Sequence, residues 1–133
     1  MKVIVAGSRH ITDYSLVSTV ISNTISRYNI TVTEIVSGCA NGPDTLGEQW
    51  ALENGIRVEP FEADWNDITV PGAKVKTNKW GKKYNALAGF QRNERMAEYA
   101  DVLIAIWDGK SHGTADMIRR AKNHGLFVLE YKV

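Results

Sequence analysis

Cysteine is almost absent from this chain: Cys39 stands alone in 133 residues, so no internal disulfide forms and a reducing compartment is expected. Long apolar runs are missing too, and none approaches the roughly 20 residues needed to cross a bilayer. Met1-Lys2-Val3-Ile4-Val5-Ala6 enters strand-like sequence at once, without the apolar segment and cleavage site of a secretory signal, so a cytoplasmic protein with no membrane partner is expected. Net charge is lacking: 16 Lys and Arg oppose 15 Asp and Glu, which leaves no global basic field for nonspecific DNA binding. Cys, His and acidic residues do not cluster at metal-ligand spacing, and neither a metal nor a cofactor is expected. Neither G-x-G-x-x-G nor G-x-x-x-x-G-K-[ST] occurs, which sets aside a standard dinucleotide or P-loop site.

What is present is a regular alternation of strand and helix. Lys2–Ala6, Thr31–Val36, Arg57–Phe61, Val102–Trp107 and Leu126–Tyr131 are short, strongly apolar or β-branched runs. Strands covered on both faces of a parallel sheet read this way. Between them, Leu16, Val17, Val20, Ile21 and Ile25 recur at helical spacing after a cap at Asp13 or Thr12. Residues 44–54, with Asp44 as N-cap and Gly55 as stop, predict a second helix. Gln91–Ala100, with Met96, Tyr99 and Ala100 toward the core, predicts a third, and about Ala115–His124 a fourth. The expectation is one α/β domain over residues 1–133, a Rossmann-like doubly wound fold with a mainly parallel sheet of about five strands.

The alternation fails between about residues 64 and 89. Breakers without a sustained period run through this insertion, which carries Lys74, Lys76, Lys79, Lys82 and Lys83 interleaved with Trp80 and Tyr84. Two readings stand: a lid or single-strand-binding element made of cations and aromatic rings, or a solvated hairpin with its aromatics packed down.

Three glycine-containing turns follow strands, and ligands of doubly wound sheets bind at that edge. Gly7-Ser8-Arg9 offers backbone access, a hydroxyl and a fixed cation. Ser37-Gly38-Cys39-Ala40-Asn41-Gly42-Pro43-Asp44 is expected to present backbone amides to an anion at a helix start. Asp108-Gly109-Lys110-Ser111-His112-Gly113-Thr114 is the third. An ordinary βα turn uses the same residues merely to change direction, so it is their convergence that argues for a cleft. Cys39 is read as a small turn residue rather than a nucleophile, having no neighbouring base. His10 and His112 are loop residues, His112 being the stronger ligand candidate. Trp107 either stacks on a base or packs at the rim.

These turns, together with Ala63-Asp64-Trp65 and Ala88-Gly89-Phe90-Gln91-Arg92-Asn93, resemble the YpsA-related SLOG family in the right order over nearly the whole chain. Its superfamily includes the Lonely Guy phosphoribohydrolases, DNA-processing protein A, molybdenum-cofactor carriers and nucleotide sensors. The resemblance implies a Rossmann-like fold binding a nucleotide-like small molecule, with Gly7, Ser8, Arg9, Ser37, Gly38, Asp44, Arg92, Asn93, Gly113 and Thr114 at the site. It also implies a homodimer or higher homo-oligomer. The turns themselves add Ala40, Gly42, Asp108, Gly109, Ser111 and His112.

One departure bears on catalysis. The phosphoribohydrolases carry G-G-x-G-T-x-x-E, but here Met117 stands at the glutamate position, and a thioether neither accepts a proton nor stabilises an oxocarbenium-like centre. Asp116 would point about 100° away around the helix. Arg92 is retained as the one catalytic residue if the chain is an enzyme. The sequence therefore favours a sensor or sequestering module for a phosphorylated nucleoside, such as an ADP-ribose-like or signalling nucleotide. A nucleoside-monophosphate phosphoribohydrolase and single-stranded DNA binding are the alternatives. Cys39, where the family has a second glycine, is expected to narrow the pocket.

Overall fold

The computed structural model describes residues 1–133. In chain order its elements are β1 (Lys2–Gly7), α1 (Tyr14–Arg27), β2 (Glu34–Ser37), α2 (Pro43–Glu53), β3 (Arg57–Pro60), β4 (Val75–Thr77), β5 (Lys83–Asn85), α3 (Ala88–Tyr99), β6 (Val102–Trp107), α4 (His112–Asn123) and β7 (Phe127–Lys132). Five strands form one parallel sheet in the order β3-β2-β1-β6-β7. The chain winds outward from β1 in one direction and from β6 in the other. The β1/β6 seam is thus the topological switch point, where such sheets open a crevice.

Side-chain alternation divides the interior in two. Val3, Val5, Val102, Ile104 and Ile106 face Val17, Ile21, Trp50 and Ala51 of α1 and α2. Ile4, Ala6, Leu103 and Ala105 face Met96, Ala97, Met117, Ile118 and Ala121 of α3 and α4. Each fully buried aliphatic side chain contributes about 1.5–3 kcal/mol of transfer free energy, so the two central strands tie both layers together. A clasp closes the far edge, where Tyr131 and Thr24 share a 2.5 Å hydrogen bond.

Several boundaries differ from the sequence reading for local reasons. β2 starts at Glu34 rather than Thr31, because the Thr33 amide is spent on the Met1 carbonyl outside the ladder. α1 is capped as expected, the Asp13 carboxylate accepting from the Leu16 amide at 3.3 Å. Asp44 is not the cap of α2: Gly42 (φ 84°) holds that position, with Pro43 and Asp44 already helical. α3 begins at Ala88, three residues before Gln91. α4 begins at His112, because the Ser111 hydroxyl accepts from the Thr114 amide. Ser111-His112-Gly113-Thr114 is therefore a cap and a first helical turn rather than the end of a loop.

The irregular segment contains a hairpin, with β4 and β5 antiparallel and Lys76 opposite Tyr84. Its base is fixed by the Asn85 amide donating to the Trp65 carbonyl at 2.7 Å. Trp80 is not packed down; it is 79% exposed at the tip. No helix is long and apolar enough to cross a membrane.

Candidate functional site

The carboxyl ends of β1 and β6 lie side by side, and their turns interlock. The Ser8 amide donates to the Ile106 carbonyl at 3.2 Å, and the Ser8 hydroxyl accepts from the Asp108 amide at 3.0 Å. A Cβ on Gly7 would lie 1.7 Å from the Ile106 carbonyl oxygen and 2.7 Å from Pro43, so only glycine lets strand and helix approach this closely. The turn after β2 closes over the same point, the backbone of Gly42 lying against Ser8 and Arg9.

These contacts leave a small cavity of about 70 Å³ lined by Ala6, Gly7, Arg9, Ala40, Asp44, Arg92, Asn93, Ser111, Gly113, Thr114 and Met117. It adjoins a chamber of about 290 Å³ lined by Arg9, Gly38, Cys39, Ala40, Asn41, Glu62, Ala63, Trp65 and Arg92. Arg9, Ala40 and Arg92 belong to both. Of the residues expected at the site, Gly7, Arg9, Ala40, Asp44, Arg92, Asn93, Ser111, Gly113 and Thr114 converge on the small cavity, and Gly38 borders the chamber.

Ser8, Ser37, Gly42, Asp108, Gly109 and His112 line neither space. Ser37 is fully buried beneath the cleft, its hydroxyl donating to Glu48 at 2.9 Å and accepting from the Cys39 amide at 3.1 Å. That bond also holds Glu48 at the turn rather than on a free helix face. Asp108 accepts from the Lys110 and Ser111 amides at 2.7 and 3.0 Å, which holds its carboxyl below the usual carboxylate range and shapes the turn. Gly109 packs against Lys132, and His112 is exposed on the first turn of α4. His10 is exposed as well, 4.0 Å from Asp108. Trp107 borders a different surface with Ile118 and Glu130, away from the cleft, so it offers no stacking face there.

The turn after β2 departs most from expectation. Two of its amides are spent within the chain: the Cys39 amide goes to Ser37, and the Ala40 amide donates to the Asp44 carboxylate at 3.4 Å. The anion at the start of α2 is the chain's own. Asp44 is buried, and desolvation pushes its pKa up to about 7 against the opposing pull of Arg92. Arg92 donates from Nη1 to the Gly38 carbonyl at 2.5 Å and from Nε to Asn93 Oδ1 at 3.0 Å, and its own burial lowers its pKa. Gly38 lies between the two: a Cβ there would be 2.7 Å from Asp44 Oδ2 and 3.1 Å from the guanidinium carbon. Cys39 follows at φ 61°, a left-handed conformation that L residues adopt at a cost. Burial and the carboxylate of Glu48 push its thiol pKa up, the reverse of an activated thiolate.

Asn93 is held by Asp116, which accepts from its Nδ2 at 3.0 Å and also pairs with Arg119 at 2.6 Å and Arg120 at 2.9 Å. The Asp116 carboxylate is thereby committed behind the cleft wall, and Met117 lines the cavity in its place. Glu94, Glu98 and His124 form a group able to hold a metal ion, but it lies between α3 and α4, where Glu94 already pairs with Arg120 at 3.2 Å and His124 at 2.9 Å. Sequence reasoning missed Trp65 as a wall of the chamber; its position two residues after Ala63 was legible, its orientation was not.

Strand order and switch point define a Rossmann-like doubly wound α/β protein with a cleft at the β1 and β6 carboxyl ends. The family described as YspA, cpYpsA-related SLOG matches residues 1–67. The chain belongs to this family. It is 31% identical over 139 residues to the Gene 61 protein of Mycobacterium phage D29, an alignment spanning 98% of this chain and 95% of that protein. Its fold is similar to that of DNA processing protein A (DprA) from Streptococcus pneumoniae, with a TM-score of 0.68 at 24% identity. That alignment covers 97% of this chain and 49% of the other, so the chain spans about half the length of that protein.

Proposed function

We propose that this protein binds a phosphorylated nucleoside in the cleft and serves as a sensor or sequestering module. The observation that carries the proposal is the placement of Arg9 and Arg92 at the junction of the two spaces, with Asn93 and the first turn of α4 on the wall. Its family and the fold it shares with DprA support a nucleotide- or DNA-related role in general terms. The phosphate belongs in the small cavity, between the guanidinium groups and the Gly113 amide, which has no acceptor within the chain. Asp44 accepts from hydroxyls of the sugar. The nucleobase lies in the chamber against Trp65, which is 43% exposed.

Thermal denaturation against a panel of nucleoside mono- and diphosphates and ADP-ribose tests this. A ligand at about 100 times its dissociation constant adds roughly 2.7 kcal/mol to stability. The expected result is a shift with one class of phosphorylated nucleoside that disappears in Arg92→Ala. No shift with any of them overturns the proposal.

A second reading is favoured by Asp44, the single carboxyl lining the small cavity. With a pKa of about 7 it is poised for proton transfer near neutrality. In hydrolysis of a nucleoside monophosphate it would give its proton to the departing base as the C–N bond breaks, and its carboxylate would take back the proton released by the water that adds to the anomeric carbon, while Arg92 holds the phosphate. Chromatographic release of free base and ribose 5-phosphate, lost in Asp44→Asn, would establish that activity.

A further inference from the structure

The near-zero net charge conceals a strong separation. Residues 68–93 contain Lys74, Lys76, Lys79, Lys82, Lys83 and Arg92 and no acidic residue, so this segment carries +6 while the rest of the chain, with a total of +1, carries −5. The β4/β5 hairpin carries most of that positive charge. Its tip is structured: Asn78 Oδ1 accepts from the Trp80 and Lys82 amides at 2.9 and 3.0 Å, and the Asn78 amide donates to the Lys82 carbonyl. This turn displays Trp80, 79% exposed, with the Lys79 ammonium 4.5 Å from its ring centre. At its other end the hairpin is anchored through Asn85, which accepts from the Lys74 and Leu87 amides and donates to Gln91 at 2.7 Å.

Folding does not account for a largely exposed tryptophan on a hydrogen-bonded, lysine-rich turn, because such a ring leaves its apolar surface in water. We infer that the hairpin is a docking element for single-stranded nucleic acid, with a base stacked on the free face of Trp80 and the lysines on the phosphates. The chemistry selects this partner among polyanions. A duplex hides the faces of its bases, and a lipid surface calls for several apolar side chains at the tip, where Trp80 has only lysines, glycine and asparagine beside it. No residue of the β4/β5 hairpin lines either space of the cleft, although its base is tied to Trp65, and the inference does not depend on what the cleft binds.

Fluorescence anisotropy of labelled oligothymidylate and oligouridylate of about 20 nucleotides, against a duplex of the same length, tests the inference with the whole chain. Single strands should bind, and affinity should fall with salt with a logarithmic slope of about −3 for four phosphate contacts. Trp80→Ala should weaken binding roughly tenfold, Trp80→Phe should retain most of it, and changing Lys79, Lys82 and Lys83 to Gln should flatten the slope by about 2. None of these variants should alter the nucleotide-dependent thermal shift, so failure here is distinct from failure of the cleft proposal. Equal affinity for duplex, unchanged binding in Trp80→Ala, or binding to phosphatidylserine vesicles without binding to oligonucleotides would each overturn it.

Discussion

Two helices point their first turns at the cleft, and they begin in opposite ways. α4 starts at a serine cap with no acid in its first turn, which leaves the amide of Gly113 and the positive end of the helix dipole for something outside the chain. α2 starts at Gly42 without a side-chain cap, and the buried Asp44 fills the place an external anion would take. A glycine turn before a helix is therefore not by itself a vacancy for phosphate. In the reading proposed above, the α4 side of the cleft receives the oxyanion and the α2 side a hydroxyl.

The largest test of this contrast is Asp44→Asn. Below pH 3.8 the residue is protonated whether folded or unfolded. As pH rises toward about 7 the unfolded chain has lost the proton and the folded chain keeps it, so stability falls across that window and levels off above it. Asp44→Asn, which has no charge to desolvate, should therefore be more stable than its parent at pH 8, with the advantage gone near pH 4. Urea denaturation at both pH values measures this, and a pH-independent difference would erase the distinction between the helix starts. Arg92→Ala comes next: it strips the Gly38 carbonyl of its donor and Asp44 of its cation. A loss of about 1–3 kcal/mol is expected, along with loss of any nucleotide-induced shift. Ser111→Ala removes the hydroxyl that accepts from the Thr114 amide and should cost about 1 kcal/mol by the same assay. The smallest effect is Cys39→Gly, which relieves the left-handed residue beside Gly38 and should gain about 1 kcal/mol or less, visible as a slightly higher urea midpoint.

The sheet was legible because its central strands are covered on both faces: Val102–Trp107 and Lys2–Ala6 carry apolar residues at nearly every position, as parallel strands buried on both sides do. The hairpin was legible only as one of two alternatives, and the exposure of Trp80 not at all, since β4 is exposed throughout and shows no apolar alternation. At the cleft, Arg92 and Asn93 came in through the family resemblance, while Gly7 and Arg9 were legible from residue type and from their place after a strand. The inward commitment of Ser8, Ser37 and Asp108 was not, because it depends on which neighbouring amide the fold brings within 3 Å. The first turn of α4 was mistaken for loop because Gly109 and Gly113 drew the eye past Ser111, whose capping position was the readable signal. Asp44 shows the deepest limit: an acid after a glycine turn reads as a cap, and only the packed structure shows it held over the turn before it.

The crossover at the β1/β6 seam means that each half of the chain owns one wall of the cleft. A backbone cut at the hairpin turn, near Gly81, leaves Arg9 and Asp44 on one fragment and Arg92, Ser111 and Gly113 on the other. A molecule lodged between them acts as a bridge joining two pieces. Reassembly of the split halves would then rise with its concentration, turning occupancy of the cleft into an association signal.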